Sequence, residues 1–113
     1  KAADVINIKV EKAGGLYNAK KIAALAEAAG LQVVLGTAFG LAFTIAAKLH
    51  LASSTVKMLD AVEFTEIILH DSLALAPYDR LFAPPLEDGC IKVPDGPGLG
   101  VAVDERRMES FRL

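Results

Sequence analysis

Apolar and polar residues alternate at the start of the chain. Ile6, Ile8 and Val10 fall on one side, and Val5, Asn7 and Lys9 on the other. That period of two predicts a strand over Val5–Val10 with one apolar face. Its other face carries a polar residue and then an amine at the strand's C-terminal end. After the Gly14-Gly15 break, Ile22, Leu25, Ala26 and Ala29 recur at helical spacing and predict a helix over Asn18–Ala29, with Asn18 as N-cap and Gly30 just past its end. Leu31–Leu35 is short and β-rich and reads as a second, buried strand. Ala42–Leu51 reads as a second helix, ending near Ser53-Ser54, and a third strand follows over Met58–Phe64. Strands alternating with helices argue for parallel βαβ units, an α/β fold.

The pattern changes after residue 76. All 5 prolines of the chain fall there, and the run from Val93 to Gly100 is too rich in turn residues for a regular helix. Asp104–Arg112 reads as a short closing helix capped by Asp104. The organisation is therefore a strand–helix portion over 1–76 and a Pro/Gly-rich tail over 77–113. Three parallel strands make a poor free-standing sheet, because such sheets need both faces covered and their edges protected. A complete β/α barrel needs about 250 residues, more than twice what is present. The chain reads as a part of something longer.

Composition sharpens this. Hydrophobic residues make up 53% of 113 and mean hydropathy is +0.40, high for a small domain with much surface to keep wet. The excess predicts apolar surface that meets other protein. Net charge is -2, with acids and bases interspersed, so no basic patch invites nucleic acid. The single cysteine, Cys90, cannot form an intrachain disulfide, no cysteine–histidine spacing suggests zinc, and no signal peptide is visible, so the reading is cytoplasmic. The uncharged run Ala28–Ala47 is long enough to span a bilayer. Gly30, Gly36 and Gly40 divide it into separate elements, so no membrane span is expected.

The amine of Lys9 is the candidate for chemistry, since α/β proteins place their active groups at the C-terminal ends of parallel strands. Several short segments, in this order and spacing, carry a resemblance. They are Asn7-Ile-Lys9 followed by Lys12-Ala-Gly-Gly15, the helix Ile22–Gly30, Gly36-Thr37, and Val93-Pro-Asp-Gly-Pro-Gly-Leu-Gly-Val101 with Asp104-Glu105. Together they resemble the C-terminal part of the enolase superfamily, in its muconate-lactonizing (muconate cycloisomerase) subgroup.

The resemblance implies a modified (β/α)7β TIM barrel with an α+β capping domain. Val5–Lys9 would be its sixth strand, Leu31–Leu35 its seventh and Met58–Glu63 its eighth. Lys9 matches the catalytic lysine of the sixth strand. Glu63 falls where the subgroup often has an acidic residue, with a role in stabilising or protonating the intermediate or in pairing with Lys9. Asn7, Thr37, Phe39 and Gly40 would bind substrate, the last three in the loop after the seventh strand. Subgroup members often carry glutamate at the position matched by Gly40, so this glycine departs from the pattern. Lys12, Asp60 and Glu66 read as solvated rim charges, His50 as a packing residue and His70 as a loop residue.

The implied cofactor is Mg2+ or Mn2+. Its carboxylate ligands would lie on the third to fifth strands, and a further lysine pair on the second, all ahead of Lys1; no metal ligand is expected within these residues. In such sites the metal neutralises charge developing on a carboxylate as its α-proton leaves. Metal charge and desolvation favour a neutral lysine that takes or returns the proton. The implied activity is an isomerase of the cycloisomerase type acting on a small carboxylate. A racemase or epimerase of amino-acid derivatives, a dehydratase of acid sugars or hydroxyprolines, and a half barrel that only assembles are the alternatives. The implied partners are the rest of the barrel, the capping domain and further copies in a homo-oligomer.

Overall fold

The computed structural model describes residues 2–38, 40–63 and 86–112, with Leu86 and Glu87 described through their backbone only. β1 (Val5–Ile8) leads into a one-turn helix, α1 (Val10–Ala13), and then α2 (Leu16–Ala28). β2 (Gln32–Leu35), α3 (Ala42–Ser53) and β3 (Met58–Val62) follow. A small hairpin, β4 (Leu86–Glu87) and β5 (Cys90–Ile91), precedes the last helix, α4 (Glu105–Glu109). The first three strands form one parallel sheet in the order β1-β2-β3. This is the expected α/β layout.

The predicted faces of β1 are observed. Ile8 is buried with Val33, Leu35, Ala19, Ala23, Ala26 and Leu51, and Ile6 packs against that core, while Val5 and Asn7 are exposed. The strand is two residues shorter than predicted. Lys9 keeps extended backbone (φ -109°, ψ 119°) but serves as N-cap of α1, where Val10 is buried. Val10 thus reaches the core from a helix turn. β2 pairs with β1 without irregularity from Val5↔Gln32 to Ile8↔Leu35. Its pairing with β3 shifts register between Val33↔Met58 and Leu35↔Val62. Met58 and Val62 still reach the core.

Two readings of α2 are corrected. Its N-cap is Gly15, and Asn18 is the third helical residue. The paired glycines make the turn themselves, and the Gly15 carbonyl accepts the first helical bond from Ala19 N–H at 3.0 Å. The apolar stripe is also rotated. Ala19, Ala23 and Ala26 are buried, whereas Ile22 is 38% and Leu25 71% exposed, and Ala29 is exposed as well. The alanines let the helix backbone approach the sheet closely, and the large side chains fall on the flank. The end of α2 is as predicted. Gly30 takes φ 69°, Gly30 N–H donates to Glu27 O (3.0 Å) and Leu31 N–H to Ala26 O (2.8 Å), a complete Schellman stop.

The tail contains one element that sequence reading missed. Asp88 (φ 52°) and Gly89 (φ 77°) turn β4 into β5, and Asp-Gly is a favoured hairpin dipeptide. Ile91 and Val93 then pack on Ile45 and Leu49 of α3. Nε2 of His50 lies 3.2 Å from the carbonyl of Leu99, tying α3 to the tail and fitting its packing role. The Asp104 carboxylate accepts from Arg107 N–H at 3.1 Å, capping α4 as expected. The predicted boundary at 76/77 lies outside the described residues, as do Phe64, Glu66 and His70. The former membrane-length run is divided among α2, β2 and α3, and no described helix is long and apolar enough to cross a membrane.

Candidate functional site

Parallel pairing places the C-terminal ends of β1, β2 and β3 side by side. Lys9 follows the end of β1, Gly36 and Thr37 follow β2, and Glu63 follows β3. The three predicted polar positions therefore lie at one end of the sheet, where a parallel fold can gather residues from several strands. Lys9 is half-buried and lines an open cleft of about 520 Å³ along the outer edge of β1, a cleft that Thr37 and Glu63 do not line. Lys12 lines the same cleft from α1 and is exposed.

Asn7 stands on the sheet face opposite the helices. Its amide lies against Gly36, where a β-carbon would run into it. A glycine at 36 is thus the condition for Asn7 to lie across the end of β2. Thr37 is buried, 8% exposed, and its N–H donates to Oε2 of Glu63 at 3.2 Å. Gly36 N–H donates to Ile8 O (3.0 Å), closing β1 to β2, and Glu63 N–H donates to Leu35 O (3.0 Å), closing β2 to β3. Gly40 lies at the start of α3, and the side chain of Thr44 occupies the space that a β-carbon at Gly40 would need. Phe39 lies outside the described residues.

Glu63 departs from one reading made of it. Its partners among the described residues are Leu35, Thr37 and Lys48, and no ion pair with Lys9 is formed. Lys48 is the residue that sequence reasoning passed over. It is 0% exposed in the middle of α3 and donates from Nζ to the carbonyl of Glu63 at 3.2 Å. Its signal was present: Lys48 is the charge that ends the uncharged run Ala28–Ala47, on a helix otherwise apolar on that side. Among the described residues, no three His, Cys, Asp or Glu side chains come together to hold a metal ion.

Comparison with known proteins agrees with the fold. A family model described as enolase C-terminal domain-like matches residues 1–107. The chain belongs to the enolase C-terminal domain-like family, and its relatives place it with the muconate-lactonizing subgroup of the enolase superfamily. Muconate cycloisomerase 1-1 of Acinetobacter lwoffii is 36% identical over 110 residues, which is 96% of this chain and 27% of that protein. Other relatives are an epimerase, a racemase and a dehydratase. An isomerase from Streptomyces coelicolor A3(2) superposes with a TM-score of 0.83 at 35% identity, over 97% of this chain and 28% of its own. An enolase from Thermobispora bispora DSM 43833, solved with magnesium and formate, gives a TM-score of 0.78 at 28% identity, over 95% of this chain and 24% of its own. The chain thus spans only about a quarter of the length of its relatives.

Proposed function

We propose that this chain supplies the last three strands of a (β/α)7β barrel, the sixth to the eighth, and with them one side of an active site that moves a proton at the carbon next to a carboxylate. The observation that carries this reading is the gathering of Lys9, Asn7, Thr37 and Glu63 at the C-terminal end of one parallel sheet. Muconate cycloisomerisation is the leading reaction, supported by the muconate cycloisomerases among its relatives. In this reading the partners are a small carboxylate substrate, the rest of the barrel with its capping domain, and further copies in a homo-oligomer. The metal in this reading, Mg2+ or Mn2+, is bound by residues of the other barrel strands; magnesium in solved relatives supports the cofactor.

Lys9 is the proton-transfer group. It sits at a strand end, and its backbone is fixed by the bond from Ala13 N–H to Lys9 O at 2.9 Å. Asn7, one strand repeat earlier on the same face, is placed to hold the substrate beside it. Glu63 follows β3, on the other side of β2 from Lys9, and its carboxylate accepts from the Thr37 amide.

A second reading, a racemase, epimerase or dehydratase on the same scaffold, is favoured by Gly40. Thr44 fills the space beside it, so the glutamate common in the subgroup has no room there without a shift of α3. Both readings use Lys9. In the full-length protein, Lys9→Ala is expected to lower turnover by about 10²–10⁴, the usual worth of a proton-transfer group, with metal binding retained. Assays on muconate and on N-acylated amino acids separate the two readings. Activity within a few-fold of the parent on its best substrate removes Lys9 from the mechanism.

A further inference from the structure

Glu63 is held through three of its own atoms by three different segments. Its N–H donates to Leu35 O at the end of β2 (3.0 Å). Its carboxylate Oε2 accepts from Thr37 N–H in the loop after β2 (3.2 Å). Its carbonyl accepts from the ammonium of Lys48 in α3 (3.2 Å). The first bond continues the sheet ladder, and any residue would make it. The second fixes the carboxylate. The third is unusual, because Lys48 is 0% exposed, and burying an ammonium is costly unless it is well hydrogen-bonded.

An apolar residue would be the cheaper occupant of that place in α3, which carries Ile45, Ala46, Ala47, Leu49 and Leu51 as its other buried residues beyond Ala42. Only a long, straight side chain with a donor at its tip reaches from the helix to the chain just past β3. The irregular pairing of β2 with β3 makes such an anchor useful. Between Val33↔Met58 and Leu35↔Val62 the register slips, so the ladder by itself leaves the end of β3 less tightly specified than that of β1.

We infer that Lys48 is a positioning residue, whose buried ammonium fixes the backbone at Glu63 and so holds the Glu63 carboxylate on the Thr37 amide at the mouth of the site. The functional part of this inference rests on the reading of Glu63 as a residue of that site. In this inference Lys48 acts through Glu63.

The test is a double-mutant cycle in the full-length protein, using Lys48→Met, Glu63→Gln and the double variant. Lys48→Met is expected to lower kcat by roughly 10- to 100-fold, since a misplacement of ~1 Å in a catalytic group can cost about 10²-fold. KM should change little. In the double variant the loss should be no greater than in Glu63→Gln alone, because residues sharing one network are non-additive. Where Glu63→Gln itself lowers turnover, an equal loss from Lys48→Met in both backgrounds, or no loss in either, overturns the inference. Should Lys48→Met not fold, Lys48→Gln, polar but too short to reach the Glu63 carbonyl, is read in the same cycle with the same expected loss. Amide exchange separates the inference from the function beneath it. If Glu63→Gln keeps full turnover, the catalytic reading of Glu63 fails. Lys48 is then judged by exchange at Thr37. Selective loss of protection there in Lys48→Met, with the core amides of Ala23 and Val33 unchanged, supports the anchor; unchanged protection at Thr37 overturns it.

Discussion

The amide of Asn7 lies where a β-carbon on residue 36 would stand, and this one close approach couples two neighbouring strand ends. The overlapping atoms are the far end of a short, exposed side chain. Gly36→Ala is therefore expected to turn Asn7 aside with little damage to the sheet. Gly36 itself is buried, so thermal unfolding should show a loss of about 1 kcal/mol, the centre of the range for single substitutions. If Asn7 holds the substrate carboxylate, KM should rise by about tenfold or more, since a hydrogen bond to a charged group contributes about 1.5–3 kcal/mol. Asn7→Ala should give the same rise, and the double variant no further one. An unchanged KM in both single variants would take Asn7 out of the pocket. Residue identities at this scale were legible where backbone geometry demands them. The sequence marks Gly36 as a break after the second strand, although nothing in it links Gly36 to Asn7, which is 29 positions away.

At the scale of elements, α2 shows how size can mislead. Its sequence offers Ile22 and Leu25 as the obvious buried residues, yet the contact with the sheet is made by Ala19, Ala23 and Ala26. Burial here depends on how closely two backbones approach, and small side chains permit the closest approach. Ala23, 2% exposed beside Ile8 and Val33, has no spare volume. Ala23→Leu is expected to destabilise the full-length protein by about 1–3 kcal/mol through overpacking, measured by denaturant unfolding. A stability equal to the parent's would mean that the helix–sheet spacing is set elsewhere. The hairpin β4–β5 carries the complementary lesson. Its Asp88-Gly89 turn was present in the sequence, but two-residue strands are too short for periodicity to register.

At the scale of the whole molecule, the parallel sheet has, among the described residues, free edges at β1 and at β3. Apolar surface accompanies these edges: Tyr17 is 74% exposed and Leu25 71% on α2, and Val5 is 38% exposed on β1. Unpaired strands and uncovered apolar faces both favour association. We therefore expect these 113 residues, expressed by themselves, to be inactive and to associate with copies of themselves or aggregate at micromolar concentration. Sedimentation and light scattering check this. A compact monomer that unfolds cooperatively would show that three strands suffice to close this core.

What the sequence determined by itself was local and periodic. The alternation at Val5–Ile8, the glycine stop at Gly30, the turn-rich run after Val93 and the Asp104 cap each follow from one residue's own backbone preference or from its immediate neighbours, and each is observed. The order of short motifs also carried the family, because spacing along a chain survives without coordinates. Tertiary structure alone decided which face of α2 is buried, that Lys48 reaches across to Glu63, and that Glu63 rests on the Thr37 amide rather than pairing with Lys9. Those outcomes depend on distances between segments far apart in sequence. They are set by how closely the helices settle on the sheet and where the register of β3 slips, and no periodicity in a single segment encodes either.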